Sequence, residues 1–226
     1  MLRYQPGTQE TTEGDAPARS KEQTRAPRPS RGRTAPAGVL KPDETPNPWR
    51  VLGSRPIYEN DWISVREDEV VRPDGAPGIY GVVHYKNTAV GVLPVEDDHV
   101  YLVGQYRYPL ESYSWEIPEG GCPEGEDPLQ AARRELREET GFEADRWEKL
   151  GEADLSNSVA DERAVWFLAT GLVPGDQQPE GTEVLGVRRV PLDEALAMAL
   201  DGRMRDALSQ LALLGYAAGR ADGNQA

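Results

Sequence analysis

The sequence predicts an α/β fold with an antiparallel β portion ahead of the α/β domain. Residues 49–85 alternate polar and apolar side chains around the turn-forming stretch RPDGAPG, which is the pattern of a β-hairpin. Two runs rich in β-branched and aromatic residues, TAVGVLPV and HVYLVGQYRY, then predict a second hairpin at the centre of a sheet. Helical and strand-like periods alternate through the rest of the chain, so strands and helices share one domain.

Residues 127–141 carry the signals of one amphipathic helix. Asp127 is the predicted N-cap, Pro128 suits the first helical position, and Gly141 is placed to end the helix in a left-handed conformation. The apolar face consists of residues at spacings of three and four: Leu129, Ala132 and Leu136.

The segments on either side of this helix predict strands, loops and two further helices. Before it, SYSWEIPEGGCPEGEDP begins as a strand and becomes too rich in Gly and Pro to continue in a sheet. After it, two strands are predicted at WEKLGEA and AVWFLATGL, on either side of the loop DLSNSVADE. A last strand is predicted at TEVLGVRRV, and two helices at PLDEALAMAL and MRDALSQLALLGYAAG.

Residues 1–46 are predicted to be a disordered tail. They are rich in Pro, Gly, Ser, Thr and Arg and have almost no large apolar side chains, so they cannot bury enough surface to offset the entropy of ordering. The tail has eight Lys and Arg against six Asp and Glu. The rest of the chain has 17 basic and 33 acidic residues, a net charge of −16.

Composition argues against several classes of function. A strongly acidic domain is a poor partner for nucleic acid or for an anionic membrane surface. The chain has no apolar stretch of membrane-spanning length, and its start lacks the apolar core of a secretion signal. The one cysteine, Cys122, excludes an internal disulfide and indicates a reducing compartment. We therefore expect a cytoplasmic protein.

The stretch RRELREETG crowds three glutamates into the predicted helix. Because each helical residue turns by about 100°, Glu135, Glu138 and Glu139 share one face, where like charges repel. Two explanations are open from this stretch alone: a bound divalent cation, or ion pairs with the neighbouring arginines Arg133, Arg134 and Arg137.

The wider spacing decides between them. Gly120 is followed after five residues by Glu126, and after seven more by the series Arg134, Glu135, Leu136, Glu138, Glu139, Gly141 and Phe142. This pattern, G-x5-E-x7-R-E-U-x-E-E-x-G-U with U apolar, is the complete Nudix box, and the chain resembles the Nudix hydrolases over about residues 50–205. The resemblance implies an α/β/α sandwich with a mixed sheet at residues 87–220. It assigns residues 47–86 to an N-terminal antiparallel β portion that serves dimerisation and substrate binding.

The chemistry of such a box is the hydrolysis of a diphosphate. Mg²⁺ held by carboxylates, with Mn²⁺ as the alternative, neutralises anionic oxygens and acidifies a water molecule. The resemblance implies that Glu135 and Glu139 are the main metal ligands, that Glu138 assists, and that Glu119 lends its carbonyl. It further implies that Arg134 orients the carboxylates, while Gly120 and Glu126 support the loop. We expect removal of Glu139 to abolish turnover and leave the fold intact, since it lies off the apolar stripe.

Residues outside the box indicate the substrate class. The stretch QYRYPLESYSWEIPEGG resembles the approach to the box in the branch that cleaves ADP-ribose and nucleoside diphosphate sugars. There, residues at the positions of Arg107 and Glu116 face the substrate, and a loop glutamate after the box is the general base. Glu162 occupies that place, with Asp161 as its competitor. Four aromatic residues are candidates for stacking on a base or for packing in the core: Tyr58, Trp62, Tyr106 and Tyr108.

The sequence thus predicts a Mg²⁺-dependent hydrolase that splits the diphosphate of ADP-ribose or a related nucleoside diphosphate sugar into a nucleoside monophosphate and a sugar phosphate. By resemblance we expect a homodimer, while the composition argues against a membrane partner and against nucleic acid. Two alternatives stay open: a Nudix hydrolase acting on a damaged nucleoside triphosphate or an RNA 5′ end, and a non-catalytic sensor of nucleotide sugars.

Overall fold

The fold is taken from a computed structural model, which describes residues 46–177 and 185–221. The tail predicted at residues 1–46 lies outside these ranges except for Pro46. Residues 47–85 form the predicted N-terminal sheet, of strands β1 (Arg50–Glu59), β2 (Ile63–Val71) and β3 (Pro77–Tyr85). The order is β1-β2-β3 and both pairs are antiparallel. The RPDGAPG turn joins β2 to β3, as predicted, and the N–H of Arg72 donates to the carbonyl of Ala76 at 2.9 Å.

A larger mixed sheet follows. Its strands are β4 (Thr88–Glu96), β5 (His99–Arg107), β6 (Ser112–Glu116), β7 (Glu119–Cys122), β8 (Phe142–Asp154), β9 (Arg163–Pro174) and β10 (Gly186–Pro191). The main order is β10-β5-β4-β9-β8, with β6 on β5 and β7 on β4. The β4 and β9 strands are parallel and the other pairs antiparallel, so the sheet is mixed.

Three helices cover the two faces of this sheet: α1 (Pro128–Thr140), α2 (Leu192–Asp201) and α3 (Ala207–Ala221). The alternation of β4 sets the two sides, because successive side chains of a strand point to opposite faces. Val90 and Val92 lie in the apolar cluster that includes Leu136 of α1. Leu93 lies in the cluster built with α2 and α3, which includes Leu208. The α/β/α sandwich predicted from the sequence is confirmed.

The two strands of the central hairpin, β4 and β5, pair with each other only next to their turn. Asp97 and Asp98, the two turn residues, have left-handed φ angles of 48° and 55°. Only the pairs Val95 with Val100 and Glu96 with His99 join β4 to β5 directly. Beyond them β5 pairs with β6, and the edge of β4 is free to receive β7.

The strand β7 corrects a prediction. We expected the Gly- and Pro-rich stretch after Glu116 to leave the sheet, but Glu119 pairs with Gly91 and Cys122 with Thr88 on β4. Proline removes a ladder donor only at its own position. Here the two prolines, Pro118 and Pro123, lie just outside the four paired residues, which explains why a short strand forms.

Candidate active site

The helix α1 begins and ends as its sequence predicts. The carboxylate of Asp127 accepts hydrogen bonds from the backbone N–H groups of Leu129 and Gln130 at 3.0 and 3.1 Å. Gly141 ends the helix with φ 75°. Since Ala132 and Leu136 are fully buried against the sheet, the helix is fixed in rotation, and its glutamates face the neighbouring strand β7.

Arg134 connects these glutamates to the loop before the helix. Its Nη1 donates to Glu135 at 2.7 Å and to Glu138 at 3.1 Å. Its Nη2 donates to the carbonyl of Gly121 at 2.8 Å and to Glu126 at 3.3 Å. Burial alone would lower the pKa of Arg134, but the hydrogen bond to Glu126 and the charge of Glu135 raise it, so the guanidinium stays charged. The structure thus brings Arg134 together with three of the predicted carboxylates and the glycine strand.

The strand β7 lies directly against the carboxylates of α1. The backbone N–H of Glu119 donates to Oε2 of Glu139 at 2.9 Å. A Cβ added at Gly120 would collide with the carboxyl group of Glu135, so only glycine allows this approach. Glu135 and Glu139 are 8% and 2% exposed, so they are buried side chains and not part of a solvated helix surface.

Arg107, at the end of β5, lies between two further acids. Its Nε donates to Glu116 at 2.9 Å, and its Nη2 contacts Glu116 and donates to Glu119 at 2.7 Å. Burial would lower the pKa of Arg107, but the hydrogen bond to Glu116 and the charge of Glu119 raise it above its usual value. Glu116 is 2% exposed and lies behind the arginine. The carboxylate of Glu116 contacts Arg107 in this structure, and its contact with substrate stays a prediction.

A cavity of about 350 Å³ opens beside Arg107. The cavity is lined in part by one arginine, two acidic residues, two aromatic side chains and the glycines of β7. These residues are Trp62, Tyr85, Arg107, Glu119, Gly120, Gly121 and Glu162. Of the four aromatic candidates named from the sequence, Trp62 is the one among the described lining residues. Tyr85 was not singled out, because a tyrosine at the end of a strand has no sequence signal that separates it from core tyrosines.

The side chains of Glu162 and Asp161 lie in different surroundings. Glu162 lines the cavity, and burial, followed by the charge of Asp206, raises the pKa of its carboxyl group. Asp161 instead accepts a hydrogen bond from the backbone N–H of Tyr85 at 3.0 Å and contacts Nδ1 of His84 at 2.7 Å. Burial opposes the ionisation of Asp161, yet the His84 and Tyr85 hydrogen bonds lower its pKa. Of the two competitors, Glu162 is the one that the structure places in the cavity.

Asp206 influences two acids of the site, and sequence reasoning missed it. Its Oδ2 accepts from the backbone N–H of Ser209 at 2.6 Å, as an N-cap of α3 does. Its charge also raises the pKa of Glu119, after the larger effect of burial, and that of Glu162. The sequence DALS carries the capping signal, but nothing local in it indicates that the helix begins beside the cavity.

The donor types of this site suit a hard divalent cation. Carboxylate oxygens are the ligands that Mg²⁺ prefers. Glu135 and Glu138 supply them beside the guanidinium of Arg134, and Glu139 supplies them beside the backbone N–H of Glu119. In addition, Oε2 of Glu119 is buried and finds no hydrogen-bond partner among the described residues. Within the described ranges, no three His, Cys, Asp or Glu side chains are already gathered around a single point. Arg134 holds Glu135 and Glu138 instead.

The α/β/α sandwich and its carboxylate-bearing helix are the arrangement that the sequence pattern implied, whereas the glycine-rich stretch beside the helix is a strand in place of the expected loop. Comparison with known proteins supports the same class. A family model for the NUDIX domain matches residues 85–211, and a model for the nucleoside diphosphate sugar hydrolase N-terminal domain matches residues 49–83.

Individual relatives span most of the chain. The ADP-ribose pyrophosphatase of Bacillus subtilis (strain 168) is 32% identical over 167 residues, covering 73% of this chain and 90% of that protein. The methanol dehydrogenase activator of Bacillus methanolicus is 29% identical over 166 residues, with 73% and 90% covered. A solved structure of an ADP compounds hydrolase superposes with a TM-score of 0.70 at 24% identity, covering 78% of this chain and 96% of that one.

The chain therefore belongs to the Nudix hydrolase family, whose members generally use divalent metal ions. Among the described residues, no helix has the length and apolar character needed to cross a bilayer.

Proposed function

We propose that this enzyme hydrolyses the diphosphate bond of a nucleoside diphosphate sugar, with ADP-ribose as the first candidate, and releases a nucleoside monophosphate and a sugar phosphate. The single observation that carries the proposal is the cavity in which Arg107, Glu162 and the β7 backbone meet beside the carboxylates of α1. The similarity to an ADP-ribose pyrophosphatase and to a nucleoside diphosphate sugar hydrolase N-terminal domain supports the same substrate class.

Arg107 is proposed to bind a substrate phosphate. Glu116 and Glu119 use its Nε and Nη2, while no described residue accepts a hydrogen bond from Nη1. The two acids therefore orient the guanidinium of Arg107, whose side chain is one-third exposed and lines the cavity. A guanidinium fixed in orientation pairs well with phosphate oxygens. We infer that Glu116 contributes by holding Arg107.

The carboxylates of Glu135, Glu138 and Glu139, with the carbonyl of Glu119, are proposed to hold Mg²⁺, or Mn²⁺ in its place. When bound, such an ion neutralises the diphosphate and acidifies a water molecule. Arg134 keeps the carboxylates from repelling one another, since it already bonds to Glu135 and Glu138. Glu126, on the same guanidinium, and Gly120 are proposed to keep the loop in this position.

Glu162 is proposed to be the general base that accepts a proton from the attacking water. A raised pKa suits that role, because a base with a pKa nearer to the working pH takes a proton more readily. Trp62 and Tyr85 line the same cavity and present aromatic surface, which suits the stacking of a nucleobase.

The test measures release of phosphate monoesters from a panel of substrates. Both proposed products are monoesters that an added phosphatase converts to inorganic phosphate, whereas an intact diphosphate sugar is resistant. The panel contains ADP-ribose, ADP-glucose, GDP-mannose, UDP-glucose and dinucleoside polyphosphates, each with Mg²⁺ and with a chelator. Nucleoside triphosphates, which the phosphatase would attack directly, are assayed without it by release of pyrophosphate. We expect chelator-sensitive cleavage of a diphosphate sugar, and a fall of about 100- to 10,000-fold in that activity in Glu162→Gln.

Other outcomes would select the alternatives. Preference for nucleoside triphosphates would move the function to a different Nudix substrate. No cleavage of any compound, with retained binding of a nucleotide sugar, would identify a sensor.

The N-terminal sheet is proposed to form a homodimer interface, and residues 87–220 the catalytic domain. Every residue of β1 is exposed, and its apolar side chains Val51, Leu52 and Ile57 are 50–56% exposed. An edge strand with such side chains offers unpaired backbone groups and apolar surface to a second copy. Light scattering after gel filtration should give twice the chain mass. Because the chain has a single cysteine, we propose that the enzyme acts in the cytoplasm.

A further inference from the structure

The loop that carries Glu162 is bound to the N-terminal sheet. We call residues 155–162, between β8 and β9, the Glu162 loop. The backbone N–H of Val83 on β3 donates to the carbonyl of Val159 at 2.7 Å, and the N–H of Asp161 donates back to the carbonyl of Val83 at 3.3 Å. Val83 and Ala160 form an isolated parallel bridge. The Glu162 loop therefore pairs with the edge of β3 through a single β-bridge.

Side chains reinforce this connection at both ends. The hydroxyl of Tyr80 donates to the carbonyl of Ser158 at 2.6 Å. Three positions further along the loop, Asp161 uses both carboxylate oxygens: Oδ1 accepts from the N–H of Tyr85 at 3.0 Å, and Oδ2 contacts Nδ1 of His84 at 2.7 Å. Asp161 thus bonds to two successive residues at the end of β3.

The base of the loop is closed separately. The carbonyl of Glu162 accepts from the N–H of Leu155 at 2.8 Å, so the two ends of the loop meet. Glu162 is therefore held between two fixed points, its own carbonyl and the preceding residue Asp161. Adjacent Cα atoms are about 3.8 Å apart, so a displacement of Asp161 moves Glu162 directly.

We propose that Asp161 and His84 are positioning residues that act through Glu162, by fixing the Glu162 loop to the end of β3. This inference rests on the proposed function, in which Glu162 is the general base. It predicts a specific dependence: loss of the Asp161 contacts slows the chemical step only while Glu162 is present to be misplaced. A displacement of about 1 Å at a reacting group costs on the order of 100-fold in rate.

The test is a double-mutant cycle on kcat and KM, in saturating Mg²⁺, with Asp161→Ala and Glu162→Gln singly and together. In the wild-type background, Asp161→Ala is expected to lower kcat by about 10- to 100-fold with a much smaller change in KM. In the Glu162→Gln background the same change is expected to alter kcat by less than about twofold, since residues that act as a unit are not additive.

Conservative variants distinguish the loss of the Asp161 and His84 hydrogen bonds from the loss of side-chain volume. Asp161→Asn keeps an oxygen for the Tyr85 N–H and an amide nitrogen for His84, and His84→Asn keeps a nitrogen near the Nδ1 position. Both are expected to retain most of the activity that Asp161→Ala and His84→Ala lose. Lys149→Ala is the matched control, because it removes an exposed ion pair with Glu152, 2.8 Å long, on the strand leading into the loop. Thermal unfolding confirms that each variant is folded.

Each outcome decides the matter. An equal loss from Asp161→Ala in both backgrounds, or no loss in the wild-type background, overturns the positioning role. An inactive wild type, or full activity in Glu162→Gln, overturns the proposed function or its base, and the role of Asp161 with it. The wild-type enzyme and Glu162→Gln alone reveal a failure of the proposed function or its base. Such a failure can therefore be distinguished from a failure of the positioning role of Asp161.

Discussion

The backbone N–H of Glu119 donates a 2.9 Å hydrogen bond to Oε2 of Glu139, which joins β7 to the last turn of α1. Glu139 is 2% exposed, although the sequence places it off the apolar stripe of the helix. Its carboxylate therefore has a structural contact in addition to its proposed role as metal ligand. We therefore expect removal of Glu139 to leave the fold intact but to lower its stability.

Glu139→Gln and Glu139→Ala should separate the two roles. Glutamine keeps an oxygen for the Glu119 N–H but loses the charge, so we expect hydrolysis to fall by at least about 100-fold with stability nearly unchanged. Alanine also leaves the half-buried N–H of Glu119 without this acceptor, which should cost about a further 1 kcal/mol of unfolding free energy. Steady-state kinetics and urea unfolding measure both effects. Glu143→Gln, an exposed neighbour, is the control; a large stability loss in Glu139→Gln would contradict the assignment.

Arg134→Lys should impair both stability and turnover. Lysine keeps the charge but cannot reach Gly121, Glu126, Glu135 and Glu138 with one planar group, as the arginine does. We expect a loss of about 1–3 kcal/mol in unfolding free energy, because charge-assisted bonds are lost, and a fall in kcat of at least tenfold. Arg137→Lys, an exposed position on the same helix, should behave as wild type; equal behaviour of the two variants would count against the network.

The rate should depend on pH through Glu162. Burial and the charge of Asp206 raise the pKa of this carboxyl group. A base is active only when deprotonated, so kcat/KM should rise with pH and level off above a pKa higher than that of an ordinary glutamate. Asp206→Asn keeps the cap on Ser209 but removes the repelling charge, and should move this rise to lower pH. The dependence of kcat/KM on pH at saturating Mg²⁺, measured for wild type and for Asp206→Asn, tests both expectations. An unchanged profile in Asp206→Asn would exclude an effect of the Asp206 charge on the pKa of Glu162.

Gly120→Ala should disrupt the site. A Cβ at this position collides with the carboxyl group of Glu135, which must move together with its bond to Arg134. We expect a loss of stability of about 1–3 kcal/mol and a large loss of activity. Gly215→Ala, in α3, meets no atom within 4 Å and should be neutral or stabilising by up to about 1 kcal/mol. Unfolding curves of the two variants make the comparison.

Most elements of the fold were predictable because their signals are local. Asp127, Pro128 and Gly141 set the bounds of α1 through capping and backbone conformation, which depend on neighbouring residues only. The alternation of β2 and β3 and the two aspartates of the β4–β5 turn are equally local. The short strand β7 was missed, because its pairing depends on the edge of β4 that the hairpin leaves open.

The sequence by itself determined the family pattern, the helix that carries three glutamates and the identity of the acids that could bind a cation. Only the tertiary structure decided that Glu116 lies behind Arg107, that Asp206 lies close enough to raise the pKa of Glu162, and that His84 meets Asp161. The physical reason is the distance along the chain over which each interaction acts. Caps, turns and strand alternation are set within a few residues, whereas His84 and Asp161 are 77 residues apart and meet only after the two sheets and their connecting loops have packed.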